Sequence, residues 1–141
     1  MIILDVNVLV HAHRRDSPDH DRVLAWLADR SPYDDVRVPA GVVAGFLRVV
    51  THPRVHVEPS SPADAVAFVT WLLAQPGITG LEPGPEHWPL LARFITDLGL
   101  RGNDIPDAAL AALAVANGAR LASLDRGFSR FPGLTVELPV A

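Results

Sequence analysis

The chain contains no cysteine and no lysine. Without cysteine there are no disulfides, no thiolate zinc sites and no sulfur nucleophile, and the lack of disulfides agrees with a reducing, cytoplasmic setting. Without lysine there is no residue to neutralise the phosphates of a P-loop nucleotide and no amine for Schiff-base or pyridoxal chemistry. The 12 basic residues are therefore all arginine, set against 16 acidic ones for a net charge of −4. That balance lacks the basic excess expected of a free-standing nucleic-acid binder, although acidic metal sites contribute negative charge that bound cations offset. Long apolar runs are also missing, since no stretch of about 18 uninterrupted apolar residues exists to span a membrane. The first apolar run, Ile2 to Leu4, is cut by Asp5 and preceded by no basic region, which argues against a signal peptide.

What is present is a core-forming composition. Hydrophobic residues make up 49% of the 141 positions, enough for one domain, residues 1–141, that buries roughly 68% of its unfolded surface. Short apolar runs at Ile2–Leu4, Val36–Val38, Ile78–Leu81, Arg120–Leu124 and Leu134–Leu138 read as strands. Between them, helical patterns cover Val6–His13, Asp19–Arg30, Ala40–Thr51, Ala63–Gln75, Glu86–Leu98 and Asp104–Asn117. Ala40–Thr51 is apolar nearly all round except at Arg48, which predicts a buried helix. Five short strands alternating with helices indicate an α/β fold with a mainly parallel sheet flanked by helices.

Three separated segments carry the chemistry: Leu4-Asp5-Val6-Asn7, Asn103-Asp104-Ile105-Pro106-Asp107, and Ser123-Leu124-Asp125-Arg126-Gly127. Asp5 and Asp125 fall at predicted strand carboxyl ends, where ligands bind in open α/β sheets. Asp104 and Asp107 are three residues apart on one face at a helix N-terminus. Carboxylates gathered at one sheet edge repel unless a cation sits among them, and Mg²⁺ takes such oxygens together with substrate phosphate. Metal-dependent phosphodiester chemistry is the reading that follows, with water acidified at the ion.

Each acid also has a purely structural reading. Asp104 is a candidate N-cap and Asp107 its capping partner, while Asp5 and Asp125 are candidate turn formers. Of the six histidines, His11 and His13 lack the further ligands that zinc needs and are expected on a solvated face, whereas His52 and His87 are expected to make structural hydrogen bonds. Arginines near the carboxylate edge, Arg126 and Arg130 among them, would offset the acidic total locally and suit phosphate. Ser123 has no nucleophile context. Covalent phosphotransfer through Asp5 is disfavoured, because position 7 is Asn and lysine is absent.

In order and spacing the chain resembles the PIN-domain family over essentially its whole length, specifically the mycobacterial-type VapC ribonuclease toxins. The resemblance rests on Ile3-Leu4-Asp5-Val6-Asn7-Val8-Leu9, Phe46-Leu47-Arg48 with Thr51-His52-Pro53-Arg54, Asn103 through Asp107-Ala108 to Ala114, and Leu124-Asp125-Arg126-Gly127-Phe128. It implies RNA cleavage by metal-activated water, with Asp5, Asp107 and Asp125 around Mg²⁺ or Mn²⁺. It further implies a homodimer neutralised by a VapB-type antitoxin, for which the apolar helix around Phe68, Trp71 and Leu72 is a candidate surface. One position departs from the pattern: many PIN domains place Glu directly before Phe-Leu-Arg, and here Gly45 stands there. Asp104, on the face of Asp107, is the expected replacement, and Asn7 the expected support of Asp5. The alternative implied by Gly45 is a catalytically weak PIN fold that binds RNA or antitoxin.

Overall fold

A computed structural model of the chain describes residues 1–140. Five strands form one sheet: β1 (Ile2–Leu4), β2 (Val36–Pro39), β3 (Ile78–Leu81), β4 (Arg120–Ala122) and β5 (Thr135–Glu137). Their order is β3-β2-β1-β4-β5, and every pairing is parallel. Six helices, α1 (Val6–His13), α2 (His20–Arg30), α3 (Ala40–Val50), α4 (Pro62–Leu73), α5 (His87–Leu98) and α6 (Asp104–Ala116), make the connections. Parallel strands need such crossovers, which is why the helical patterns fall between the apolar runs.

The central strand is all core. Ile2, Ile3 and Leu4 are 0% exposed, and each such side chain contributes roughly 1.5–3 kcal/mol relative to exposure. Ile2 lies opposite Val36 on one side and Arg120 on the other, and Leu4 lies opposite Ala122. On α6, Ala108, Ala111, Ala112 and Ala114 are fully buried. Their small size lets the helix lie close to its neighbours.

Local signals set the helix ends. Ser61 accepts a hydrogen bond from the Asp64 N–H at 3.1 Å and Pro62 starts α4, the usual division of labour at an N-terminus. Gly99 closes α5 at φ +63°, and Leu100 N–H returns to Ile95 C=O at 3.0 Å. A side chain at that φ would be strained.

Several expectations are corrected here. α3 is not buried all round: Val42, Phe46 and Val50 face the core while Ala40, Gly41 and Ala44 are exposed. Apolarity without size does not demand burial. His11 and His13 are not on a solvated face. His11 Nδ1 bonds Ser17 Oγ and the His13 ring packs on Phe46 and Phe68, with Nε2 on Ser60 Oγ at 2.8 Å. On α4, Leu72 turns into the core, leaving Val66, Trp71 and Leu73 as the exposed apolar face. Among the described residues no helix is long and apolar enough to cross a membrane.

Candidate active site

The strand order reverses between β1 and β4: the chain runs outward from β1 through β2 to β3, then crosses to the other side of β1. Such a switch opens a crevice at the strand carboxyl ends. Asp5 follows β1 and Ser123 follows β4, and Asp5 N–H donates to Ala122 C=O at 3.0 Å. Asp5 is 8% exposed and its carboxylate is tightly held. Oδ1 accepts the Val6 N–H at 2.7 Å, while Oδ2 accepts Ser123 Oγ at 2.7 Å and Asn7 Nδ2 at 3.0 Å. Asn7 also donates to Ser123 Oγ and accepts the Leu124 N–H, so one amide locks the ends of both strands together. Burial raises the Asp5 pKa above its ordinary 3.8, against the hydrogen bonds from Ser123 and Val6, with the Asp125 charge adding to the rise.

α6 brings the second group. Asp104 and Asp107 lie in its first turn, but neither caps it: Asn103 is the N-cap position and makes no side-chain cap bond. Both carboxylates instead face Arg130, whose Nη2 is 3.4 Å from Asp104 Oδ1 and 3.4 Å from Asp107 Oδ2. The Asp107 pKa is also raised, first by burial, then by the negative charges of Asp5 and Asp125; Arg130 opposes this and Asp104 adds a smaller push. Asp125 keeps its turn-forming role, since Oδ1 accepts the Gly127 N–H at 2.8 Å at the start of a 3₁₀ turn, Arg126–Arg130. A Cβ at Gly127 would lie 3.1 Å from that oxygen, so the close approach favours glycine. Beside Asp5 and Asp107 opens a largely apolar groove of about 290 Å³, walled by Pro39, Leu81, Pro83, Pro106 and Leu110.

A buried, hydrogen-bonded Asp coupled electrostatically to two more at a sheet switch is a site whose family can be tested by comparison. The family model described as PIN domain matches residues 2–134. Ribonuclease VapC43 of Mycobacterium tuberculosis is 46% identical over 99% of this chain and 96% of its own length. This chain is a PIN-domain protein of the VapC family. Ribonuclease VapC31 of the same organism is 44% identical over 93% of each chain. The fold agrees with a solved VapBC2 complex from Rickettsia felis, with TM-score 0.72, 20% identity and coverage of 97% of this chain and 98% of that one. It also agrees with M. tuberculosis VapC20, with TM-score 0.71, 15% identity and coverage of 96% and 99%.

Within this VapC-family site, the charge of Asp125 acts on Asp5 and on Asp107, that of Asp5 acts on Asp107, and Asp104 lies beside Asp107 across the shared Arg130. Among the described residues no three His, Asp or Glu side chains stand together closely enough to enclose an ion. Mg²⁺ needs no such cage, because it takes one or two carboxylates and keeps several waters. The donors present are all carboxylate oxygens; the pKa values of Asp5 and Asp107 are raised first by burial and further by neighbouring negative charge, from Asp125 on Asp5 and from Asp5 and Asp125 on Asp107, which a divalent cation would relieve. The residues therefore fit a hard divalent ion.

Two residues escaped sequence reasoning. In the sequence Ser123 shows only the lack of a nucleophile context, yet it is 2% exposed and bonds Asp5, Asn7 and the Asp125 N–H (3.0 Å). A polar residue at the end of an apolar strand, two before an Asp, is the signal that was available. Arg130 was read as general local charge rather than as the partner of two named acids. Arg14, in contrast, is structural: it is 9% exposed, forks onto Asp16 at 2.7 and 3.0 Å, and donates to Glu58 C=O at 2.7 Å. His52 and His87 make the structural hydrogen bonds expected of them, to the Arg54 N–H and, across to α6, to Ala109 C=O.

Proposed function

We propose that this chain is a divalent-metal-dependent endoribonuclease, the toxin of a VapBC-type pair, acting in the cytoplasm on RNA. Membership of the VapC family supports ribonuclease activity, and PIN-domain ribonucleases as a class use divalent metal, here Mg²⁺ or Mn²⁺. The observation that carries the site assignment is that Asp5 and Asp107 line one groove at the sheet's switch point, with Asp125 near enough for its charge to act on both. Asp5 and Asp107 are the principal metal ligands in this reading, with Asp125 and Asp104 completing the acidic site and Asn7 orienting Asp5. Asp104 stands in for the carboxylate that Gly45 lacks. A bound ion supplies Lewis-acid stabilisation of the phosphate and an acidified water.

The protein's own part is positional. Ser123, Asn7 and the Val6 N–H keep Asp5 in one orientation, and the bonds from Ser123 and Val6 favour its charged form against burial. The apolar groove beside Asp107 accepts an unstacked base, the form in which single-stranded RNA is read. The partner is a VapB-type antitoxin, supported by kinship with proteins solved in VapBC complexes, and the protein forms a homodimer.

RNA cleavage in Mg²⁺ or Mn²⁺, with EDTA and Asp5→Ala as controls, is the test. Asp107→Ala serves where Asp5→Ala disturbs folding, because among the described residues the Asp107 side chain is held only by Arg130. Cleavage that persists in either control would sink the metal mechanism. A second reading, a catalytically weak PIN fold that binds RNA or antitoxin, is favoured by Gly45, and metal-linked stabilisation separates the two. A degenerate site shows none.

A further inference from the structure

The acids of the site are not all alike in what they face. Asp5 is bound by neutral donors, whereas Asp104 and Asp107 share one cation, the Arg130 guanidinium. That pairing is looser than the tightest ion pairs of the molecule. Arg14 approaches Asp16 to 2.7 Å and Arg30 approaches Glu137 to 2.6 Å, the short lengths of well-made charge-assisted bonds. Arg130 divides a single nitrogen, Nη2, between two carboxylates at 3.4 Å each. Its Nη1 and Nε make no hydrogen bond among the described residues, although a guanidinium carries five donors.

What fixes Arg130 is the ring beneath it. Its guanidinium carbon lies 5.0 Å from the centroid of Phe131, a side chain only 3% exposed that packs against Phe94 at 5.4 Å and Phe128 at 6.0 Å. The stack holds the cation over the acids independently of any tight ion pair. The result is a positive charge seated on a rigid platform, loosely engaged with Asp107, with donors unspent and the side chain 37% exposed.

We propose that Arg130 is a resident counter-ion of the acidic site that yields Asp107 to the divalent cation and then contacts a phosphate oxygen of bound RNA. This rests on the metal-dependent ribonuclease reading given above. In the metal-free protein Arg130 offsets the repulsion among the acids, which is the direction of its effect on Asp107. A divalent ion competes with it for the same carboxylate, so Arg130 weakens ion binding. With Asp107 taken by an ion, the guanidinium would still rest on the Phe131 ring, and its fork matches the geometry of a phosphate.

The test is a Mn²⁺ titration of the EDTA-stripped full chain by calorimetry, alongside cleavage of a single-stranded RNA oligonucleotide at saturating Mn²⁺. Variants are Arg130→Gln, Arg130→Lys and, as control, Arg15→Gln, an exposed cation beyond the far end of α1 with no acidic partner among the described residues. Arg130→Gln should bind Mn²⁺ roughly three- to ten-fold more tightly, the size expected for removing one charge close to a divalent ion in a partly solvated, salt-screened site. Its RNA cleavage should nonetheless fall at least about tenfold, the scale of one lost charge-assisted contact. Arg130→Lys keeps the charge, and so should retain wild-type Mn²⁺ affinity while recovering only part of the rate. Arg15→Gln should leave Mn²⁺ affinity unchanged, and melting curves confirm that each variant is folded. Arg130→Gln with Mn²⁺ affinity unchanged or weaker overturns the counter-ion role. Tighter binding with an unchanged rate overturns the phosphate contact. A wild-type protein that binds no Mn²⁺ removes the ribonuclease reading itself, which is a different and separable result.

Discussion

Replacing Ser123 with alanine isolates the contact that holds the central acid. Ser123 Oγ is buried, donates to Asp5 Oδ2 at 2.7 Å, and accepts from Asn7 Nδ2 at 3.1 Å and from the Asp125 N–H at 3.0 Å. The variant removes one hydrogen bond to a charged group, about 1.5–3 kcal/mol, and leaves neighbouring donors without their acceptor at a further cost of about 1 kcal/mol. Ser123→Ala should therefore lose about 2–4 kcal/mol of unfolding free energy at pH 7 in EDTA, a fall in Tm of roughly 5–15 °C for a chain of this size. Urea unfolding with an unchanged slope measures it, and Ser129→Ala, exposed in the following turn, should change stability by less than about 0.5 kcal/mol. The loss also depends on pH. Ser123 holds the Asp5 pKa down against burial, so in the variant that pKa rises further and the folded state keeps its proton to higher pH. Stability then falls more steeply with rising pH than in the wild type. The difference between the two proteins should be small near the ordinary carboxylate pKa of 3.8 and full at neutral pH. A loss below about 0.5 kcal/mol at pH 7, or one independent of pH, would show that Asp5 does not depend on Ser123.

Three further outcomes follow from the same geometry. Asp107 has a folded pKa raised above 3.8, so as pH rises through that value the metal-free fold loses stability; Asp107→Asn should flatten this part of the urea-midpoint profile, and a parallel profile would refute the coupling. Gly45→Glu should destabilise by about 1–3 kcal/mol, because its Cβ would come to 2.9 Å from Val6 Cγ2; adding Val6→Ala should recover part of the loss, read as a positive coupling in a double-mutant cycle. Arg14→Met should cost about 1–3 kcal/mol through the Glu58 carbonyl and Asp16 contacts while leaving Mn²⁺ affinity unchanged, which calorimetry checks.

The PIN-domain kinship and the α/β architecture were both legible in the chain, and for a physical reason. Strands as short as Ile2–Leu4 must be wholly apolar to be buried on two faces, and the intervening helices carry capping and stop residues such as Ser61 and Gly99. Those are local constraints, written in neighbouring residues. Exposure was less legible, because it depends on what lies opposite: α3 has the composition of a buried helix, yet Ala40, Gly41 and Ala44 meet nothing that covers them. His13 shows the converse, since its ring is enclosed by Phe46 and Phe68 from two other helices.

The acids divide along the same line. Strand-end position alone marked Asp5 and Asp125, because a chain that ends a buried strand with a carboxylate places it at the sheet's edge in any α/β fold. The sequence also determined that lysine and cysteine chemistry are closed to this protein. Only the tertiary structure decided that β4 returns beside β1, which sets Ser123 on Asp5 and on Asn7 across 118 and 116 positions of chain. It likewise decided that Asp104 and Asp107 face Arg130 rather than cap their own helix. Hydrogen bonds and ion pairs between distant segments depend on strand order and on side-chain direction, and neither is encoded in the spacing of any one segment.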